Sequence, residues 1–335
     1  MRLQDFDYNL PKELIAQYPL SRRDGARLMV IDRTDGSVIH DIFRNLKKYL
    51  PPQSLLTLNE SKVIPARLFG TREKTGGKVE IFLLQKSPGG SYKALIRPLK
   101  KLNTGEKIIF NGSGFYAQLE NPQEKLIRFN RSDISIYLRK FGHMPLPPYI
   151  KRSDEPLDRR QYQTVYAKRA GSVASPTAGL HFTKSLLEAL KQEGHTFEKI
   201  TLHVNYATFK PVVEEDITKH VMHEEGYFIS KAAWKRIEEV RKTGRKIVAV
   251  GTTSCRTLET AAASGRLEGR TNLFIYPGYH FKMTDCLLTN FHTPKSTLLM
   301  LVSAFATREL IRKAYEEAIR EKYRFFSYGD CMLIL

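Results

Sequence analysis

Between Pro176 and Asp330 the chain sets short polar strings in otherwise apolar surroundings: Pro176-Thr177-Ala178-Gly179-Leu180-His181-Phe182, Gly251-Thr252-Thr253-Ser254, Thr289-Asn290-Phe291-His292 and Tyr328-Gly329-Asp330. Such strings are too polar for a core and too regular for a linker, so they read as parts of one assembled site. Gly251 to Ser254 lies between a buried-strand pattern, Lys246 to Val250, and a helix pattern through Ala263. Free N–H groups and hydroxyls at a helix N-terminus bind carboxylate or phosphate. Simple capping by Ser254 accounts for one hydroxyl and not for three. His181, His203 and His292 each sit among small or hydroxyl residues. A histidine in that setting either satisfies a hydrogen bond in the core or moves a proton. The aromatics Phe274, Tyr276, Tyr279 and Phe281, and again Phe325, Phe326 and Tyr328, offer core packing at alternate positions or flat faces for adenine or an unstacked RNA base.

Other chemistries are argued against by pattern. Gly112-Ser113-Gly114-Phe115-Tyr116-Ala117 matches a dinucleotide fingerprint as a string, but Phe115 to Leu119 is strand-like where the fingerprint opens a helix, so these glycines read as a hairpin turn. His220 and His223 with Glu224 lack both the H-E-x-x-H order and a third ligand at helical spacing, and no metal is expected. Cys255, Cys286 and Cys331 are far apart in sequence and read as reduced thiols.

These residues need a frame. At 335 residues, with about 150 per domain as a guide, two domains are expected. A Pro11-initiated helix over Lys12 to Gln17 is followed by strands Arg27 to Arg33 and Val38 to Phe43, joined at Asp35-Gly36. From Lys62 to Asn130 short alternating runs such as Val79, Ile81, Leu83 and Tyr92, Ala94, Ile96 are cut by turns at Gly76-Gly77, Pro88-Gly89-Gly90, Asn103-Thr104-Gly105 and Asn121-Pro122. That texture predicts a small antiparallel barrel. Ser132 then caps a short helix, and the proline-rich Met144 to Tyr149 marks a boundary. Beyond it helices and strands alternate, with caps at Thr183, Ser230 and Thr307 and a closing strand over Tyr323 to Leu335. The expected fold is a multi-domain α+β arrangement. A large mixed-sheet α/β domain, residues 1–62 and 150–335, is interrupted by a β-barrel-like domain, residues 63–149.

Charge is the compositional extreme: 54 Lys+Arg against 35 Asp+Glu leave +19. An excess of that size implies an anionic partner and commonly means phosphate-backbone contact. Basic clusters fall at Arg97, Lys100, Lys101 and Lys107, at Lys151, Arg152, Arg159 and Arg160, at Lys168 and Arg169, and at Arg241, Lys242, Arg245 and Lys246. Taken singly, each cluster is equally a solvated face. The most apolar stretch, Ser296 to Ala306, is short of the ~20 residues a bilayer needs. No signal-peptide profile opens the chain, so a soluble, cytoplasmic protein is expected.

The strings Val63-Ile64-Pro65-Ala66-Arg67-Leu68, Gly77-Lys78-Val79-Glu80, Tyr162-Gln163-Thr164-Val165-Tyr166, Pro176 to Phe182, Val250 to Leu258, Asn272 to Lys282 and Thr289 to Ala306 occur in an order and spacing that resembles the S-adenosylmethionine:tRNA ribosyltransferase-isomerases of queuosine biosynthesis. The similarity runs from Leu14-Ile15-Ala16-Gln17 to the segment Tyr323 to Met332. The resemblance implies transfer and isomerisation of the ribosyl part of S-adenosylmethionine (AdoMet) onto 7-aminomethyl-7-deazaguanine at the tRNA wobble position. Epoxyqueuosine, adenine and methionine would be the products, and AdoMet a co-substrate with no bound cofactor. One departure is Asn205-Tyr206-Ala207, where the family usually shows Gly-x-Gly.

The implied chemistry needs a base for the C5′ proton that the sulfonium acidifies, an acid for adenine, and a carboxylate clamp. His181 or His203 is expected as the base, with Asp285 or His292 near adenine or ribose. Thr252, Thr253, Ser254 and Arg256 are expected at the methionine carboxylate, and Thr177, Gly179, Tyr276 and Asn290 elsewhere around AdoMet. Lys151, Arg152, Lys168 and Arg169 lead the expected tRNA face, and a monomer is expected. The rivals are another AdoMet-dependent RNA modifier, such as a methyltransferase, and a non-catalytic basic RNA-binding protein. The clustered Thr, Asn and His strings speak against the latter, because passive binding needs no buried acid–base groups.

Overall fold

The computed structural model describes every residue except 88, 111–113 and 210, and only the backbone of residues 207 and 209. The expected turn at Pro88 and the hairpin glycine string at Gly112-Ser113 therefore lie outside the described residues. Two compact units emerge, one formed by Met1–Lys62, Pro147–Arg152 and Gln161–Leu335, the other by Val63–Leu146 and Ser153–Arg160.

The larger unit is built on a nine-stranded mixed sheet. In chain order its strands are β1 (Arg27–Ile31), β2 (Val38–Ile42), β3 (Leu55–Asn59), β4 (Thr196–Leu202), β5 (Glu225–Phe228), β6 (Ile247–Val250), β7 (Glu268–Thr271), β8 (Cys286–Asn290) and β9 (Cys331–Ile334). Across the sheet they run β7-β5-β4-β3-β6-β8-β9-β1-β2. The centre, β4-β3-β6-β8, is parallel, and β9 returns antiparallel to β8 with Asn290 opposite Cys331.

The central strands are apolar on both faces because both are covered. Leu56, Leu58, Val248, Val250 and Leu288 point to the side packed by helix α1 (Lys184–Gln192) through Leu186 and Leu190. Leu55, Ile247, Ala249 and Leu287 point to the side packed by α2 (Lys231–Lys242), α3 (Thr252–Ser264), α4 (Thr297–Ala306) and α5 (Arg308–Arg320). Hydroxyl caps start these helices: Thr183 accepts from Leu186 N–H, Ser230 from Ala233, Ser296 from Leu299 and Thr307 from Leu310. Each such cap contributes about 1 kcal/mol. Helix α3 differs, since Gly251 is its N-cap and no side chain caps it.

In the smaller unit six strands between Arg67 and Phe129 close into an antiparallel barrel. The barrel interior takes the alternate residues Val79, Ile81, Leu83, Ala94 and Ile96, all buried. The segment Ser153–Arg160 belongs to this unit rather than following a single boundary near residue 150. Asp154 explains this, accepting from Met144 N–H at 2.7 Å and pairing with His143 at 2.8 Å.

Local expectations fail where tertiary contacts take over. The Lys12 to Gln17 helix is a single 3-10 turn, Lys12–Leu14, because Ile15 leaves it to bridge Phe325. The closing strand is confined to Cys331–Ile334, since the residues before it turn around Asp330. That carboxylate accepts from the N–H groups of Arg27 and Arg324, both at 2.8 Å. The helix expected after Ser132 starts at Ser135, with Asp133 accepting its N–H at 2.8 Å. All three cysteines are free and buried. Among the described residues no helix is long and apolar enough to cross a membrane.

Candidate functional site

Ligands of open α/β sheets bind beyond the carboxyl ends of the parallel strands. There β6 and β8 deliver Gly251 and Asn290 to a cleft of about 680 Å³. Its polar wall is Ser175, Thr177, Thr252, Thr253, Thr289, Asn290, His292 and Thr293; its apolar wall is Tyr149, Val204, Phe291, Leu298 and Phe326. The sequence strings around residues 176, 251 and 289 therefore meet in one place.

Gly251 makes the turn from β6 into α3 at φ +91°, ψ 151°, a conformation that side chains with a Cβ resist. Its N–H is taken by Leu288 O at 2.7 Å, and the uncapped first turn of α3 is left at the cleft. A helix of 13 residues ending there supplies N–H donors and a partial positive charge suited to a carboxylate. Of the three hydroxyls only Thr252 and Thr253 line the cleft. Ser254 is fully buried and donates back to Val250 O at 2.8 Å.

Asn290 is 2% exposed. Its Nδ2 donates to Phe326 O at 3.2 Å and Asp330 O at 3.3 Å, which fixes the amide orientation and leaves Oδ1 without a protein partner. Ser175 Oγ and Thr253 Oγ1 are also buried without partners. Buried polar groups are rarely left so, and all three residues line the cleft, where a polar ligand could meet them.

The histidines separate. His292 lines the cleft with Nε2 2.8 Å from Thr289 Oγ1, its backbone N–H donating to Tyr315 Oη at 2.9 Å. Burial pushes its pKa down to about 3, so the ring is neutral. His181 borders a smaller neighbouring pocket of about 300 Å³ with Arg23, Leu180 and Tyr328. It reaches the cleft through Asn290, whose Nδ2 lies 3.2 Å from His181 Nε2. That amide nitrogen can only donate, so its two hydrogens are shared among Phe326 O, Asp330 O and His181 Nε2, and Nε2 accepts with the ring proton on Nδ1. Burial, with Arg23 and Arg324 adding repulsion, takes the His181 pKa down to about 3. His203 lies outside the cleft lining, its ring against Gly171, where an added Cβ would come within 2.8 Å of Cε1. Burial and Arg169 lower its pKa.

Four of the residues expected around AdoMet lie outside the cleft lining. Asp285 immediately precedes β8, at the opposite end of the strand from Asn290, accepting from Ile247 N–H at 2.8 Å; a rise of about 3.3 Å per residue puts it about 16 Å from Asn290. Arg256 faces an adjoining pocket, ion-paired with Glu225 and donating through Nε to Leu273 O at 3.1 Å. Gly179 is glycine for packing, because a Cβ there would sit 2.0 Å from the Tyr166 hydroxyl. Tyr276 packs on the core beside Phe274, ring centroids 5.0 Å apart.

The aromatic loop it belongs to is organised by fully buried Glu259, which accepts from the N–H groups of Lys282, Met283 and Thr284 at 2.7–3.0 Å. Sequence reasoning missed Glu259, and also Tyr149, Thr208 and Leu298 in the cleft wall. Only Tyr149 carried a signal, the aromatic end of a proline-rich segment. Among the described residues no group of His, Cys, Asp or Glu is arranged to hold a metal. His220 instead pairs with Glu214 at 2.8 Å.

Lys151 and Lys168 are exposed. Arg152 stacks over Tyr18 at 4.2 Å, and Arg169 lies over Phe228 at 4.0 Å while pairing with Glu60 at 3.3 Å.

The family described as "Queuosine biosynthesis protein" matches residues 3–334. Proteins named S-adenosylmethionine:tRNA ribosyltransferase-isomerase from Sulfurihydrogenibium sp. and Symbiobacterium thermophilum are 53% and 51% identical, each over 100% of both chains. A crystal structure of S-adenosylmethionine tRNA ribosyltransferase from Thermotoga maritima aligns at TM-score 0.58 and 39% identity, covering 99% of this chain and 100% of that one. With half of all positions identical across the full length and the family pattern spanning both structural units, this chain belongs to the queuosine biosynthesis protein family.

Proposed function

We propose that the chain is an S-adenosylmethionine:tRNA ribosyltransferase-isomerase that moves the ribosyl part of AdoMet onto 7-aminomethyl-7-deazaguanine at the wobble position of tRNA. The observation that carries this reading is the cleft's composition. An uncapped helix N-terminus and three unpartnered polar atoms, on Ser175, Thr253 and Asn290, line the same cleft as Tyr149 and Phe326, whose rings are 4.7 Å apart. A zwitterionic sulfonium nucleoside needs that combination: an anion site for its carboxylate, acceptors and donors for its ribose, and flat apolar surface for adenine.

The reaction then divides among the chain's own groups. A base removes the C5′ proton acidified by the sulfonium. The glycosidic bond breaks, with a proton delivered to the adenine ring nitrogen, and the aminomethyl nitrogen bonds to the sugar. A sugar oxygen then closes the epoxide by displacing the sulfonium sulfur, methionine leaves with the carbon–sulfur electron pair, and the proton given up by the amine passes to solvent. His292 with Thr289 is the proton-handling pair inside the cleft, and Thr252 and Thr253 with the α3 N–H groups hold the carboxylate. His181 acts as a positioning residue, fixing the Asn290 amide. The sulfonium supplies the activation, so the reading calls on no resident cofactor. A monomer acting in the cytoplasm is part of the same proposal.

Purified protein with AdoMet and tRNA carrying the aminomethyl base should release adenine and methionine in step with a nucleoside mass gain. S-adenosylhomocysteine as the main product would overturn ribosyl transfer in favour of methyl transfer, the one rival that shares the AdoMet site.

A further inference from the structure

A second pocket, about 960 Å³, adjoins the cleft and shares two of its wall residues, Thr208 and Leu298. Its floor holds Arg256 and Glu225, 5% and 4% exposed. Glu225 is committed: it pairs with Arg256 Nη1, and accepts from Asn205 N–H at 2.8 Å and Thr208 Oγ1 at 3.3 Å. Arg256 is not, because Nη2 is buried with no protein partner. The pair therefore holds a rigid guanidinium with donors to spare, at a place where leaving them unmade is costly. At the mouth stand Val213 and Val221, 76% and 78% exposed, the two most exposed large hydrophobic side chains among the described residues. Apolar surface at the rim and an unpaired donor at the floor suit a flat heterocycle that bears a carbonyl, and guanidinium N–H groups pair with the carbonyl edge of guanine-like bases.

We infer that this second pocket takes the acceptor nucleobase of the RNA, with its carbonyl oxygen on Arg256 and its amine directed past Thr208 and Leu298 to the ribose in the first cleft. This rests on the ribosyl-transfer reading above. It reassigns Arg256 from the donor substrate to the acceptor, and gives a structural reason for a base that must be unstacked from its loop before chemistry.

Two variants test it. Arg256→Lys keeps a cation beside Glu225 but loses the fork of donors; Val221→Trp narrows the mouth from an exposed position, where the fold has little at stake. AdoMet affinity is measured by calorimetry without RNA, and adenine release is followed against modified tRNA, with the wild-type chain alongside. The expected result is AdoMet affinity within about twofold of wild type in both variants, with kcat/KM for modified tRNA reduced at least about tenfold. A matching fall in AdoMet affinity in Arg256→Lys would return that residue to the donor site and overturn the proposal, as would wild-type turnover in both variants. Should Arg256→Lys fail to fold, Val221→Trp decides alone. Absence of adenine release from the wild-type chain would count against ribosyl transfer itself, a separate failure.

Discussion

His181 shows how a residue singled out for chemistry is read differently once its neighbours are known. Its Nε2 lone pair is already engaged by Asn290, and burial keeps the ring neutral with a pKa of about 3. A histidine whose folded pKa lies below its unfolded 6.5 contributes stability that is fully present above pH 6.5 and lost as pH falls toward 3. The slope is about 1.4 kcal/mol per pH unit. Between pH 6.5 and 5.0, His181 should thus cost the fold about 2 kcal/mol. His181→Gln, which does not titrate yet can accept the Asn290 N–H, should flatten the denaturant-midpoint profile over that window by a comparable amount. On the same preparation kcat should stay within about tenfold of wild type, because the amide clamp survives. A loss of the order of 10² to 10⁴ would instead mark His181 as a proton-transfer group, and an unchanged pH profile would show that its burial does not persist in solution.

At the scale of elements, the junction of β6 and α3 is the feature on which the cleft most depends. Gly251 combines a positive φ with an N–H held by β8, so the turn is locked to the neighbouring strand that carries Asn290. Gly251→Ala meets no close atom, the nearest being Thr253 Oγ1 at 3.5 Å, so its penalty comes from the backbone. That conformation costs a residue with a Cβ about 1 to 3 kcal/mol. The variant should lose about that much stability in chemical denaturation, and its AdoMet affinity should fall by more than the stability loss explains, because relaxing the turn rotates the α3 N–H groups. Full retention of affinity would show that the carboxylate is held elsewhere. The adjoining loop has its own anchor in Glu259, whose side chain replaces the missing secondary structure between Lys282 and Thr284 with hydrogen bonds to each N–H. Nothing in the local pattern announces that anchor, since a glutamate in the middle of a helix of 13 residues ordinarily faces water.

For the molecule as a whole, the proposed function and a charge of +19 predict that binding to tRNA is a counterion-release process, weakening with salt by about 0.7 to 0.9 in log–log slope per phosphate contacted. Lys151 and Lys168 are the clean probes, being exposed, whereas Arg152 and Arg169 also support Tyr18, Phe228 and Glu60. Lys151→Glu with Lys168→Glu should lower the slope by about 1.4 to 1.8 if each meets one phosphate, and leave AdoMet affinity unchanged. Filter binding between low and moderate salt checks this. An unaltered slope would move the RNA face to other basic clusters, such as Lys100 and Lys101.

The sequence by itself determined the class of structure, the barrel interruption and the location of the site's strings. Period-two alternation, turn residues and hydroxyl caps are local properties that each segment expresses wherever it is placed. It also marked Thr252, Thr253, Asn290 and His292 as one group, because polar residues amid apolar strands have few other reasons to be there. Only the tertiary structure decided which polar atoms remain unpaired. Ser254 spends its hydroxyl on Val250, Arg256 is held by Glu225, and Asp285 and Asn290 sit at opposite ends of one strand. Those outcomes depend on partners tens to hundreds of residues away, and on the direction in which a strand runs. Spacing along the chain does not carry that information.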